Sequence, residues 1–132
     1  MGLLIHIVDD NRNFQHSLEA LLVRIPGVLV VARSFLCTDV LNQARDYPAQ
    51  LVLLDIGMPD GNGLDLIAPL RALQPAPEIV VLSLCEATTL PPTALAQGTR
   101  FIAKTDIMSE LIPLVENRAL ASHPRFPRNI SS

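Results

Sequence analysis

Four short apolar runs in this sequence each stop at a side chain able to do chemistry. Leu3–Val8 is followed by Asp9-Asp10, Leu51–Leu54 by Asp55, Ile79–Leu82 by Ser83, and Phe101–Ala103 by Lys104. Carboxylates from two such stretches, brought into one pocket, repel one another and need a cation. Oxygen donors select a hard ion. Mg2+ suits best, because it is satisfied by two or three protein oxygens and keeps waters for the rest. Asp55 is then placed to act as a carboxylate nucleophile that takes a phosphoryl group as an acyl phosphate. Ser83 would give its hydroxyl to one phosphoryl oxygen, and Lys104 would answer the negative charge as a point cation. Together these residues describe phosphoryl transfer by positioning and charge neutralisation.

The groups meet only if the runs are strands of one sheet. Each run lacks polar alternation, apart from His6 in the first, which is the pattern of strands buried on both faces. Val28–Val31 adds a run without a terminal catalytic group. Helical periods lie between the runs. Phe14, Leu18, Leu21, Leu22 and Ile25 share one face, and Pro26-Gly27 stops that helix. A second helix is read at Asp39–Asp46, after a turn at Cys37, and Leu66, Ile67, Leu70 and Leu73 make a third. A fourth begins at Pro92, the second of the pair Pro91-Pro92, and is short, with Gly98 as its C-cap. Ile107, Leu111, Leu114 and Val115 mark the last; Pro113 is harmless there if Ser109 is the N-cap and kinks the helix if Asp106 is. Strands alternating with helices predict an α/β fold: a five-stranded parallel sheet of order 2-1-3-4-5, doubly wound with five helices, the fourth short or irregular. In that order the site forms outside the carboxyl ends of strands one and three, where the three aspartates converge.

Composition narrows the possibilities. The chain has 132 residues, enough for one domain, read as 1–120, with the aperiodic, proline-containing stretch 121–132 as a tail or interdomain linker. Hydrophobic residues make up 49%, which excludes disorder over most of the length. Thirteen acidic against ten basic residues argue against a nucleic-acid surface on this domain. Cys37 and Cys85 are read as reduced thiols of a cytoplasmic protein. The N-terminal apolar run lasts one strand length, too short for a membrane span.

Asp9-Asp10, the stretch Leu51-Val-Leu-Leu-Asp55-Ile-Gly-Met-Pro59-Asp-Gly-Asn-Gly63, Val80-Val-Leu-Ser83 and Phe101-Ile-Ala-Lys104 resemble the receiver domain of bacterial two-component response regulators over roughly residues 3–120. The wording around Asp55 and Ser83 is most similar to receivers of LuxR/NarL-type transcription factors. The resemblance implies a flavodoxin-like fold. It implies that Asp55 is the phosphoacceptor, that Asp9 and Asp10 are the acidic pair holding Mg2+, with Asp10 the more direct ligand, and that Gly57 adds its backbone carbonyl to the metal shell. Ser83 matches the switch hydroxyl, Lys104 the lysine that pairs with the phosphoryl group, and Phe101 the switch aromatic. Met58-Pro59 and Gly61 to Gly63 match the loop leading into the third helix. The implied partners are a sensor histidine kinase and a second copy of the domain, paired through the fourth helix, fifth strand and fifth helix. DNA contact would come only from a C-terminal helix-turn-helix domain beyond these residues, and no membrane contact is implied. Such a domain promotes only its own phosphorylation and dephosphorylation and is not otherwise an enzyme.

Singly, each residue also has a plain structural role. Asp9 or Asp10 alone would be a helix N-cap, Asp55 and Ser83 turn residues, and Lys104 a surface charge. Phe101 reads equally as a packed edge aromatic. His6 reads as a satisfied core or edge histidine, His16 and His123 as solvated, and Asp60 and Asn62 as turn formers. Leu84, beside Ser83, and the prolines at 91 and 92 motivate an alternative: a receiver-like interaction module that works without phosphorylation. An aspartate-nucleophile phosphatase fits less well, because the sequence lacks two aspartates one residue apart after the first strand.

Overall fold

The computed structural model describes residues 2–84 and 99–122. The elements in chain order are β1 (Leu3–Val8), α1 (Arg12–Leu22), β2 (Val28–Ser34), α2 (Cys37–Asp46), β3 (Leu51–Asp55), a ribbon of β4 (Gly57–Met58) and β5 (Gly61–Asn62), α3 (Ile67–Arg71), β6 (Glu78–Ser83), β7 (Arg100–Ala103) and α4 (Ile112–Ser122). The main sheet has the order β2-β1-β3-β6-β7, with every pair parallel. Counted within that sheet alone, this is the order 2-1-3-4-5.

Side chains alternate across the strands and feed two cores. Ile5, Ile7, Leu53, Val80 and Leu82 pack with Leu18 and Leu22 of α1 and with Leu114 and Val115 of α4. Val8, Val52, Leu54, Ile79 and Val81 pack on the other face with Val40 and Ala44 of α2 and with Ile67 and Leu70 of α3. The unbroken apolar runs thus arise from helices covering both faces.

Several local expectations are corrected. Cys37 is not in a turn but is the first residue of α2, which starts two residues before Asp39. The third helix is shorter than its apolar face: a 3-10 turn, Gly63–Leu66, takes up its beginning, and Leu73 lies beyond its end. Before α4 the chain makes a 3-10 turn (Lys104–Asp106) and a wide π turn (Ile107–Leu111), and the Ile112 amide donates to the Ile107 carbonyl. Pro113 therefore falls in the first turn of α4, where a missing N–H is tolerated. Neither Ser109 nor Asp106 caps that helix through its side chain; Ser109 Oγ instead lies 3.4 Å from the Asp106 carbonyl. Four α-helices are present among the described residues. The expected helix ending at Gly98, together with Pro91-Pro92, Cys85 and the segment 123–132, lies outside them.

His6 is a core residue, as read, but not a fully satisfied one: its Nδ1 is buried without a hydrogen-bond partner. It is fully buried on β1, and its Nε2 lies 2.7 Å from Ser34 Oγ. Burial pushes its pKa down to about 4, against an ordinary 6.5. The unfolded chain therefore binds a proton between those values that the folded chain refuses, so stability falls as pH drops through about 6.5 to 4. The difference approaches roughly 3 kcal/mol at the acid end of that window. Urea unfolding midpoints measured at pH 7 and 4.5 should fall further for the wild type than for His6→Gln; equal falls would rule this contribution out.

Candidate functional site

Strand register assembles the site. Val8 pairs with Leu54, so Asp9 and Asp55 leave β1 and β3 side by side. Asp55 in turn pairs with Leu82, immediately before Ser83. Ser83 pairs with Ala103, immediately before Lys104. The result is a cleft of about 320 Å3 at the carboxyl ends of the strands, lined by Asp9, Asp10, Asp55, Gly57, Ser83 and Lys104 among others. The sequence reading placed all six at the site. Phe101 is not in this lining; it sits on β7 opposite Val81, half-buried against the α2–α3 core.

One carboxylate oxygen from each of Asp9, Asp10 and Asp55 falls within a group spanning at most 4.8 Å. Asp9 is 2% exposed and Asp55 8%, whereas Asp10 is open to solvent. Lys104 Nζ lies 2.7 Å from Asp9 Oδ2 and 3.7 Å from Asp55 Oδ2. It also stands 4.2 Å from the centroid of the Phe14 ring, whose face favours a cation. One ammonium among three carboxylates leaves a negative balance, and the donors are all hard oxygens. That set fits a small divalent cation such as Mg2+.

The nucleophile candidate is held near the backbone of the following loop. The Gly57 amide donates to Asp55 Oδ1 over 3.3 Å. Gly63 lets the returning chain pass close by: a Cβ there would lie 2.3 Å from the Asp55 carbonyl oxygen. Burial raises the Asp55 pKa most, and repulsion from Asp9 adds to this; Lys104 and the Gly57 amide pull it down, and Asp10 raises it again. Ser83 is 3% exposed at the end of β6, and Leu84 is 80% exposed on the rim of the cleft.

Three supporting residues escaped the sequence reading. Gln15, on α1, donates through Nε2 to the Asp9 carbonyl at 2.9 Å and to the Ser34 carbonyl at 2.8 Å, fixing the turn that presents Asp9. Phe14 had been read only as part of an apolar helix face. Asp60 does more than shape its turn: its carboxylate accepts the amides of Cys37 (2.8 Å) and Thr38 (3.2 Å), capping α2 from the loop after Asp55. The N-cap of α1 is Asn11, not Asp9 or Asp10; Asn11 Oδ1 accepts the Phe14 amide, and Asp9 Oδ1 accepts the Asn11 amide.

Residues 5–116 match the family of response regulator receiver domains. The chain belongs to that family. It is 27% identical over 110 residues to the response regulator GacA of Pseudomonas aeruginosa, a match covering 83% of this chain and 51% of that protein. The chain spans about half the length of the curated relatives it matches. Its fold is that of a LuxR-family two-component response regulator from Aurantimonas sp. SI85-9A1, with a TM-score of 0.80, 20% identity, and coverage of 99% of this chain and 94% of that one. The response regulator domain of Thermotoga maritima CheB superposes with a TM-score of 0.78 at 20% identity, covering 94% of this chain and all of that one. These likenesses support the flavodoxin-like doubly wound architecture expected from the sequence. Among the described residues, no helix is long and apolar enough to cross a membrane.

Because the folded pKa of Asp55 is raised, its ionisation opposes folding once pH exceeds the unfolded value, near 4. In the absence of divalent cations, Asp55→Asn should unfold at higher urea than the wild type at pH 7. That advantage should shrink as pH falls towards 4. A variant less stable than the wild type at neutral pH would contradict this electrostatic picture.

Proposed function

We propose that this receiver accepts a phosphoryl group on Asp55 from a sensor histidine kinase, and that the modified aspartate re-pairs Lys104 and Ser83 to change its output surface. The observation that carries the reading is the convergence of Asp9, Asp10, Asp55, Ser83 and Lys104 on one cleft. Asp9, Asp10, Asp55 and the Gly57 carbonyl would hold Mg2+, which when bound neutralises phosphoryl oxygens and orients the transfer.

This chain's own residues supply the remaining parts. An Asp55 carboxylate oxygen attacks phosphorus; the new P–O bond forms as the phosphorus–nitrogen bond of the donor phosphohistidine breaks, and the imidazole nitrogen keeps the electron pair. Lys104, which pairs with Asp9 in the unmodified domain, then has a phosphoryl oxygen beside it as an additional partner. The Ser83 hydroxyl donates to another oxygen, and Phe101 follows the movement of the β6–β7 end. Moving a two-state balance from mostly off to mostly on takes about 5.5 kcal/mol of differential interaction. Charge-assisted hydrogen bonds of about 1.5–3 kcal/mol each supply a large part of that.

We place the domain in the cytoplasm as the regulatory part of a transcription factor, acting on DNA only through a separate C-terminal domain. It dimerises through the face that includes β7 and α4, and it turns over no substrate besides its own phosphoryl group. The name of GacA, a response regulator, supports the signalling role. The alternative of a phosphorylation-independent module draws on the exposed Leu84 at the cleft rim.

Treatment with acetyl phosphate and Mg2+ should add one phosphoryl mass to the wild type and none to Asp55→Asn. Lys104→Met should slow the gain by roughly 10- to 100-fold, the rate equivalent of one charge-assisted hydrogen bond. EDTA should abolish it. Equal gain in wild type and Asp55→Asn excludes Asp55 as the acceptor; no gain in either, at any Mg2+ concentration, favours the phosphorylation-independent module.

A further inference from the structure

Among the described residues, two carboxylates and one ring surround the Lys104 ammonium. Nζ lies 2.7 Å from Asp9 Oδ2, 3.7 Å from Asp55 Oδ2 and 4.2 Å from the centroid of the Phe14 ring. Both carboxylates belong to the acidic cluster suited to a divalent cation. The ring does not, because a hydrocarbon face cannot replace an oxygen around a hard ion. Lys104 would therefore share both anions with the metal and the ring with nothing. Charge alone would still keep the lysine nearby: three carboxylates against one divalent cation leave a single negative charge. That residual attraction has little direction, and a lysine stem is long and flexible. The ring supplies the direction.

Phe14 is a fixed platform for that purpose. It stands in the first turn of α1, where its amide donates to Asn11 Oδ1 at 2.9 Å, and it is half-buried against the core shared by α1 and α4. The next residue, Gln15, ties the same turn to the ends of β1 and β2 through the Asp9 and Ser34 carbonyls. The orientation of that amide is settled by its surroundings. The Ile7 carbonyl is also 3.4 Å from Nε2, so an oxygen in its place would face three oxygens and no donor. The Lys104 side chain is 12% exposed, and an ammonium shielded from water is held more firmly by a ring face.

We propose that Phe14 is a positioning residue for Lys104: its ring keeps the ammonium at the cleft when a divalent cation occupies the carboxylates, so that the lysine is in place before the phosphoryl group arrives. This role rests on the reading that Asp55 accepts that group. In the metal-loaded domain the aromatic contact, rather than the ion pair with Asp9, sets where the lysine points.

One measurement needs no phosphodonor. In the wild-type chain the NMR signals of the Lys104 ε-methylene protons should lie upfield of their ordinary position, displaced by the Phe14 ring, and should stay there as Mg2+ is titrated to saturation. Their return to the ordinary position would mean that the lysine leaves the ring on metal binding, which overturns the proposal. A second measurement follows labelling by acetyl phosphate at saturating Mg2+. Phe14→Leu, which keeps apolar bulk against the core, should slow labelling roughly tenfold, the order of one shielded ammonium–ring contact. Phe14→Tyr, which keeps the ring face, should label within about twofold of the wild type. In a Lys104→Met background Phe14→Leu should add no further slowing, because the ring then has no ammonium to hold. Equal slowing in both backgrounds, or Phe14→Tyr as slow as Phe14→Leu, shows a packing role and overturns the proposal. Failure of the wild type to take label overturns the Asp55 reading and this role with it; failure of the Lys104 signals to stay upfield overturns this role alone.

Discussion

Everything at the functional end of this domain depends on negative charges forced together by strand register. Asp9 and Asp55 follow the paired residues Val8 and Leu54, so the backbone register sets the two residues side by side. Both are buried, which sharpens their repulsion. Lys104 relieves part of it from another strand, at 2.7 Å from one carboxylate and 3.7 Å from the other. The remaining imbalance is negative, and its hard oxygen donors suit a small divalent cation.

Two apolar layers make that crowding tolerable. Odd and even residues of β1 and β3 pack into separate cores on opposite faces, each closed by its own helices. A sheet clamped on both sides does not splay when charges gather at its edge. The loop after Asp55 is fixed as well: Asn62 Oδ1 accepts the Leu64 amide, and Asp60 reaches back to the start of α2.

Much of this was legible in the sequence, for a definite reason. Strands buried on both faces leave unbroken apolar runs, and the residue after each run stands at a strand end, so Asp9, Asp55, Ser83 and Lys104 announced themselves. Contacts between distant parts of the chain left no comparable trace. Asp60 caps a helix that begins 23 residues before it, and nothing near Cys37 reveals that the cap comes from elsewhere. Phe14 has the same apolar signature whether it faces a core or a lysine ammonium. Gln15 looks like any polar helix residue until Ser34 and Asp9 are seen on either side of it. Helix ends were misread where the backbone left the α geometry, in the 3-10 turn before α3 and the π turn before α4.

Lys104 reaches the aspartates from the end of β7, the outermost strand of the sheet on its side. The electrostatic tie therefore works as a strut laid across the top of the sheet, anchored in the interior at one end and at the periphery at the other. Under the proposed phosphorylation, an added partner at the inner end would load the outer anchor, where β7 runs through its short turns into α4. On that proposal, charge chemistry at a buried point would be delivered to the rim of the molecule.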